Sequence, residues 1–194
     1  MSMDAEVEGR VIVLSDSSLT KEQRRKNASR AAELYVSHDK DQTVNPTATV
    51  DLPGTEIKSA VYKDGNGRPG RFTFRDRQHD HIARTNASYE LVVLTDIGSS
   101  AYVICGIMPI EPHEVSMLIG GHSEWDNGSP YSNGRATIPH SDIFEMEMAT
   151  YSPSSVLADA DLNSLDLQLN ELDDWAIRAY LSGGNSSASA AAAN

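Results

Sequence analysis

Two near-continuous apolar runs, residues 89–94 and 101–108, constrain the fold of this chain more than any other feature. Apolar runs of this length, without alternating polar residues, are typical of β-strands that are buried on both faces. Such strands lie in a sheet that other elements cover on each side. The two runs therefore predict a covered sheet at the centre of the domain.

The segments around these runs complete an α/β pattern. The predicted order is a short edge strand (residues 11–14), a helix (20–36), a hairpin of two strands (47–52 and 55–62), a third strand (71–74), a helix (76–85), the two buried strands, and a helix (112–119). Thr20 and Gln23 form a capping box at the start of the first helix, and Gly120 and Gly121 are expected to end the last one. This order predicts an α/β fold with a mixed central sheet of about four to five strands, flanked by helices on both faces.

The 194 residues divide into four predicted regions. Residues 1–17 form an N-terminal extension, and residues 18–150 form the α/β domain. Residues 151–181 are an acidic segment in which leucines at helical spacing predict an amphipathic helix. Residues 182–194 are a low-complexity tail of Ser, Ala, Gly and Asn, which is predicted to be disordered.

The net charge of −12 is unevenly distributed along the chain. Residues 21–84 hold 13 of the 16 basic residues and 9 acidic ones, a net charge of +4, whereas residues 85–194 carry a net charge of −13. A locally basic face attracts phosphates even on an acidic protein, so nucleic acid is the expected partner. The acid excess elsewhere fits a halophilic protein from a high-salt cytoplasm, and equally an ordinary acidic protein.

Nothing in the sequence predicts export or a membrane span. No run of about 18 apolar residues occurs, and the acidic N-terminus lacks the basic region and the apolar core of a signal peptide. Cys105, the single cysteine, lies within an apolar run, so we expect a small buried residue and no disulfide framework. A reducing cytoplasm, that of the host if the protein is viral, is the predicted location.

The segment from Asp51 to Lys58 carries the charged residues with the most specific arrangement. Glu56 and Lys58 are two positions apart and share one face of a strand. Pro53 and Gly54 predict a tight turn that sets Asp51 opposite Glu56. Facing carboxylates repel unless a cation lies between them, and two acids with a lysine form a site suited to holding Mg²⁺ and polarising a phosphate. The alternative is an exposed cross-strand charge group that contributes little to stability.

Basic residues follow this segment along the chain. They are Lys63, Arg68, Arg71, Arg75, Arg77 and Arg84. Such a cluster could track the phosphate backbone of a nucleic acid. The alternative is a solvated face on which Asp64, Asp76 and Asp80 balance the charge.

The histidines do not predict a metal site. His79 and His81 are two positions apart on a predicted helix and point in different directions. His113, His122 and His140 lack the spacing of zinc ligands.

The charged motifs occur in a recognisable order. Asp51, the triplet Glu56-Ile57-Lys58, the basic strand at Arg71 and the helical Gln78 follow one another along the chain. This order resembles that of the PD-(D/E)XK nuclease superfamily, which includes restriction endonucleases and archaeal Holliday-junction resolvases. The resemblance covers roughly residues 29–95, extends weakly to Phe144, and is to small haloarchaeal and haloviral members in particular.

The resemblance implies metal-dependent hydrolysis of DNA phosphodiester bonds by in-line attack of water. Asp51 and Glu56 would bind Mg²⁺ or Mn²⁺, with the carbonyl of Ile57 as a further ligand. Lys58 would orient or activate the attacking water and stabilise the charge that develops on the phosphate.

The resemblance also implies supporting residues and partners. Glu33 on the first helix would bind the metal through water, and Gln78 would support the site from the second helix. Duplex or branched DNA is the implied substrate. A homodimer is a further expectation, since cutting two strands takes two sites.

The position of the first metal ligand leaves alternatives open. Four residues separate Asp51 from Glu56, whereas the family usually has a longer gap. Asp39 or Asp41 is therefore an alternative ligand. If none of the three acids binds metal, the chain would be a catalytically inactive DNA-binding or assembly protein on the same fold. A third alternative is a structural acidic protein that binds neither metal nor DNA.

Overall fold

The computed structural model describes residues 5–14, 21–45, 50–98, 101–122, 125, 134–144, 152–162 and 172–181. The strands are β1 (Ala5–Glu8), β2 (Val11–Leu14), β3 (Thr55–Val61), β4 (Arg71–Arg75), β5 (Ser88–Gly98), β6 (Ala101–Ile110) and β7 (Arg135–Pro139). The helices are α1 (Lys21–Asp39), α2 (Asp76–Arg84), α3 (Pro112–His122), α4 (Pro153–Ala158) and α5 (residues 174–181). Within these residues, no helix has the length and apolar character needed to cross a membrane.

Five strands form one mixed sheet in the order β1-β2-β6-β5-β3. β3 runs parallel to β5, and the other neighbouring strands are antiparallel. β3 lies at the end of this sheet, and no strand in the described part of the chain pairs with its outer edge. β4 and β7 form a separate antiparallel sheet of two strands. The predicted mixed sheet is therefore confirmed, with five strands.

The central apolar runs are buried because both faces of the sheet are covered. On one face, Ala31 and Val36 of α1 join a cluster with Val92 of β5. On the other face, Leu91 of β5 joins a cluster that includes Ile82 of α2 and residues of α3, α4, α5 and the β4–β7 sheet. Successive residues of β5 thus serve opposite faces, as the period of a strand requires. The predicted helices on both faces are confirmed.

The predicted edge position of β2 and the predicted end of the third helix are both wrong. β2 is not an edge strand, because β1 returns through the turn at Gly9 and pairs with its outer side. The third helix does not end before Gly120 but continues to His122. Glycine in a helix costs about 1 kcal/mol relative to alanine. Burial of Val115 and Ile119 on the core side of α3 offsets that cost.

Of the predicted hairpin at residues 47–52 and 55–62, the described residues show the turn and β3. Leu52 and Thr55 form an isolated antiparallel bridge, and β3 follows it. Residues 46–49 lie outside the described residues, as do the proposed cap at Thr20 and the tail at 182–194.

Candidate active site

A tight turn at Pro53 and Gly54 places Asp51 beside the start of β3. Leu52 and Thr55 flank the turn and exchange two backbone hydrogen bonds of 2.9 and 3.0 Å. Gly54 has a φ of 73°, which suits the second central residue of a type II turn. Turns of that type match the twist of paired strands poorly, which fits the absence of strand structure at the described residues 50 and 51.

The Asp51 carboxylate is fixed by the backbone of β3. Its Oδ2 atom accepts a hydrogen bond of 2.8 Å from the N–H of Ile57. The turn therefore brings Asp51 alongside Glu56 and Ile57 in spite of the short sequence gap. Asp51 is also one of the charges that raise the pKa of Glu56 and of Glu33.

Glu56, Lys58 and Gln78 form a closed set of three hydrogen bonds. Lys58 Nζ donates to Glu56 Oε1 at 2.6 Å and to Gln78 Oε1 at 2.7 Å. Gln78 Nε2 donates to the same Glu56 oxygen at 2.7 Å. The two charged residues share the face of β3 that meets α2, because alternate residues of a strand share a face. The alternative of an exposed charge group is wrong, since Glu56 is only 4% exposed.

Burial is the main cause that raises the pKa of Glu56 above its ordinary value. The charge of Asp51 raises it further, whereas Lys58 and the hydrogen bond from Gln78 act in the opposite direction. Nearby groups of the folded protein therefore stabilise the ionised carboxylate less than water would stabilise it in the unfolded chain. A site of this kind gains from an added cation.

Glu33 reaches the same electrostatic environment from α1. Its Oε2 atom accepts from Arg30 Nη1 at 3.1 Å, and burial is the main cause that raises its pKa. Asp51 raises that pKa further, and Lys58 lowers it. Asp39 and Asp41 are exposed and do not contribute to the pKa of Glu33 or Glu56. Asp51 is thus the acid that the structure places with Glu56.

A second hydrogen-bond chain lies behind the site and was not predicted from the sequence. Tyr89, the register partner of Glu56, has its OH 3.0 Å from His79 Nδ1, and His79 Nε2 is 2.8 Å from Ser116 Oγ. Ser116 Oγ donates to the carbonyl of Pro112. His79 Nε2 must therefore carry a proton, His79 Nδ1 accepts, and Tyr89 donates. Burial and the charge of Glu56 raise the pKa of Tyr89, which keeps this phenol protonated.

The predicted nucleic-acid-binding residues fall into separate groups. Arg71 and Arg75 share the exposed face of β4, and Arg71 Nη1 donates to Thr137 Oγ1 at 3.4 Å. Arg68 lies in the loop before β4, and the Lys63 ammonium lies 5.6 Å from the Tyr62 ring centroid. Arg77 and Arg84 are exposed on α2, and Arg84 Nη2 is 3.8 Å from Asp80 Oδ2.

The residues present fit a hard divalent cation in chemistry. Asp51 and Glu56 offer carboxylate oxygens, and burial, together with the charge of Asp51, raises the pKa of Glu56. Among the described residues, no three His, Cys, Asp or Glu side chains converge into a complete ligand set. Mg²⁺ commonly takes only one or two protein carboxylates and completes its shell with water and substrate phosphate, so this arrangement is compatible with it.

The fold and the site define a class of protein. It is an α/β protein in which an edge strand presents an acid and a lysine two positions apart, beside a carboxylate that a turn delivers and a glutamine from the next helix. A family model described as the PD-(D/E)XK nuclease superfamily domain matches residues 20–145, which is more than half of the chain. The chain belongs to the PD-(D/E)XK nuclease superfamily, as the order of its motifs predicted. No curated protein and no solved structure matched it.

Proposed function

We propose that this protein is a divalent-metal-dependent nuclease that hydrolyses phosphodiester bonds of DNA. The observation that carries the proposal is the hydrogen-bonded cluster of buried Glu56 with half-buried Lys58 and Gln78, with Asp51 beside it. In a chain of this nuclease superfamily, these are the residue types that hydrolysis of a phosphodiester needs.

Asp51 and Glu56 are the proposed ligands of Mg²⁺ or Mn²⁺, with Glu33 acting through water and the Ile57 carbonyl as a further donor. The ion, when bound, would polarise the scissile phosphate and make a nearby water molecule more acidic. Its charge would also offset the repulsion between Asp51 and Glu56 that now contributes to the raised pKa of Glu56.

Lys58 is the proposed catalytic lysine. Its ammonium orients the attacking water and stabilises the negative charge that builds up on the phosphate oxygens. Water attacks phosphorus in line, the opposite P–O ester bond breaks, and the products are a phosphate monoester and a free hydroxyl. Gln78 holds Lys58 and Glu56 in register through its two hydrogen bonds.

Cleavage of DNA with a matched pair of lysine variants tests the proposal. Lys58 and Lys40 each lie 2.6 Å from a buried glutamate, Glu56 and Glu90 respectively. With Mg²⁺ or Mn²⁺ present, we expect wild-type protein and Lys40→Ala to cleave plasmid or branched DNA. Lys58→Ala should lose about 100–1,000-fold in rate, the usual effect of removing a charge-stabilising donor. The absence of cleavage of every DNA form by the wild type would overturn the proposal.

The role of Glu56 as a metal ligand is tested by substituting the glutamate of each of these two pairs. We expect Mn²⁺ to raise the melting temperature of the wild type and of Glu90→Gln, but not that of Glu56→Gln. Glu90 provides the control because it is buried and paired with a lysine, as Glu56 is. An equal response in both variants would remove Glu56 from the ligand set.

A second candidate function is DNA binding without cleavage. The lack of a convergent set of three ligands among the described residues favours it. This candidate predicts salt-dependent DNA binding that survives in Glu56→Gln, together with no metal-dependent cleavage by the wild type.

The assembly and location of the enzyme belong to the same proposal. Two copies, acting as a homodimer in the cytoplasm, would supply the two sites that cutting both strands of a duplex takes. Light scattering on the protein alone and with duplex DNA would detect such a dimer.

A further inference from the structure

A groove of about 940 Å³ runs along the outer edge of β3. Its floor is formed by residues 59–61 of β3. One wall is α1, at Ala28 and Ser29, and the opposite wall is the β4–β7 sheet, at Thr73 and Thr137. The groove exists because β3 is the terminal strand of the large sheet and the small sheet lies apart from it.

The groove leads into the candidate active site along two of its sides. Ala60, which lines the groove, is two positions from Lys58 and shares its face of β3, so the floor continues to the proposed catalytic lysine. Ser29 precedes Glu33 by four positions, so the two residues share one face of α1. A ligand lying in the groove would therefore meet Glu33 and Lys58 at the same end.

The lining of the groove has the chemistry of a phosphate-backbone site. Arg68 and Arg71 supply positive charge, and Ser29, Ser59, Thr73 and Thr137 supply hydroxyl donors. Arginines and hydroxyls are typical contacts to phosphates and sugars. None of the described residues that line the groove is aromatic, so it offers no ring on which bases would stack.

Asp64, the acidic residue in the lining, stabilises the loop that carries Arg68. Asp64 Oδ1 accepts hydrogen bonds from the N–H groups of Asn66 and Arg68, at 2.8 and 2.9 Å. These bonds lower the pKa of Asp64. The carboxylate therefore closes the loop from Asp64 to Arg68 and fixes the position of the Arg68 backbone.

The size of the groove selects between forms of nucleic acid. A volume of about 940 Å³ matches a site for a drug-sized molecule, which is typically about 300–1,000 Å³. It can hold a few nucleotides of one strand. It is too small to enclose a duplex, which holds two strands and their paired bases.

We propose that this groove binds a single strand of DNA through its phosphate backbone and guides it to Lys58. The inference rests on the proposed nuclease function and narrows its substrate to DNA with a single-stranded segment, such as a branch or an end. Because the contacts are to phosphate and sugar, binding should depend little on base sequence.

Binding measured without cleavage tests the groove independently of catalysis. Fluorescence anisotropy in EDTA would compare a labelled oligothymidine, an oligodeoxyadenosine, an oligouridine and a hairpin duplex. The proteins are the wild type, the double variant Arg68→Ala/Arg71→Ala, and the control Arg178→Ala. Arg68, Arg71 and Arg178 are all exposed, so the substitutions should leave the fold intact, and Arg178 lies on α5, outside the groove lining.

We expect the wild type and Arg178→Ala to bind both DNA single strands alike and more tightly than the duplex. In the double variant, the slope of log affinity against log salt should fall by about 1.4 for single strands, or about 0.7 for each lost phosphate contact. Its duplex binding should not change. Oligouridine binding as tight as that of the DNA strands would overturn the restriction to DNA.

An equal loss for single strand and duplex, or no loss at all, would overturn the groove proposal. Failure of the proposed nuclease function has a different signature. If the groove binds single strands as expected but no DNA is cleaved with Mg²⁺ or Mn²⁺, the groove stands and the catalytic proposal fails. If branched DNA is cleaved equally fast by the double variant, the catalytic proposal stands and the groove fails.

Discussion

Lys58 and Gln78 both bond one oxygen of Glu56, and this shared oxygen organises the site. Three hydrogen bonds of 2.6–2.7 Å join the three side chains, and two of them end on Glu56 Oε1. Glu56 Oε2 lies outside this set of bonds. The arrangement therefore fixes the orientation of the carboxylate, and Oε2 is the oxygen that the proposed metal ion would contact.

The role of Gln78 is tested by removing its amide. Gln78→Ala should lower the rate of single-turnover DNA cleavage by about 10–100-fold, the usual effect of losing a group that orients a metal ligand. Equilibrium DNA binding in EDTA should not change. Gln42→Ala is the control, since Gln42 is an exposed glutamine just after α1. A cleavage rate for Gln78→Ala equal to that of the wild type would assign Gln78 a structural role only.

Site residues close together in sequence could be predicted from it, whereas those brought together by the fold could not. The two-residue spacing placed Glu56 and Lys58 on one face, and the Pro-Gly turn placed Asp51 nearby. Glu33 and Gln78 came from the family resemblance alone. The contact between Tyr89 and His79 was missed because it depends on how α2 packs against β5, which no local pattern encodes.

The loop from β3 to β4 is anchored where Gly70 approaches Val61. The N–H of Gly70 donates to the Val61 carbonyl at 3.1 Å, and a Cβ at Gly70 would lie only 2.1 Å from that oxygen. Gly70→Ala should therefore lower the free energy of unfolding by about 1–3 kcal/mol, the range for overpacking. Urea denaturation provides the measurement.

Gly65→Ala is the control for this prediction. A Cβ at Gly65 would have no neighbour within 4 Å, so its effect should stay within about 0.5 kcal/mol. If the two alanine variants were equally stable, the close approach of Gly70 to Val61 would not exclude a side chain at position 70.

Hydrogen bonds from Tyr89 through His79 to Ser116 join α2 to β5 and α3. The buried histidine among them makes the free energy of unfolding depend on pH. Burial lowers the pKa of His79 below 6.5, and the charge of Asp80 opposes this only in part. As the pH falls below 6.5, the unfolded chain binds a proton at His79 before the folded protein does. The free energy of unfolding should therefore decrease in this range.

Denaturation curves between about pH 5 and 8 would measure this effect, since histidine titrates there. His79→Gln should lose stability less steeply with acidification than the wild type. His81→Gln, a substitution at an exposed position of the same helix, should keep the wild-type slope. Identical slopes in all three proteins would contradict the assignment.

Elements with a strong local pattern were predicted well. α1, α2, β4, β5 and β6 lie where the sequence patterns placed them, with ends that differ by a few residues. β7 was not predicted, because five residues ending in proline carry little pattern of their own. These residues form a strand because they pair with β4.

The folded unit extends past the segment that matches the nuclease family. α5 lies beyond residue 145, yet Leu172, Ala176 and Ala179 are buried in the main cluster. The N–H of Asp173 also donates to the carbonyl of Ile97, at the end of β5. The C-terminal segment therefore completes the core on the face of the sheet that α2 and α3 cover.

Truncation at two points tests this contribution. A chain ending at residue 181 should unfold like the full chain. A chain ending at residue 171 should lose about 2 kcal/mol or more, since one buried leucine alone contributes about 1.5–3 kcal/mol. Thermal and urea denaturation would compare the two chains. Equal stability would show that α5 is not part of the cooperative unit.

The open edge of β3 has a consequence for solubility. An unpaired strand edge is a template on which a second chain can add, and such edges lead to aggregation unless something interrupts them. Here the strand carries the charges of buried Glu56 and half-buried Lys58 in its first half, and the N–H of Gly70 bonds the carbonyl of Val61 at its end. A charged residue that points inward on an edge strand disfavours addition of another strand. The residues proposed to cut DNA thus also disfavour addition of a second chain to this edge of the sheet.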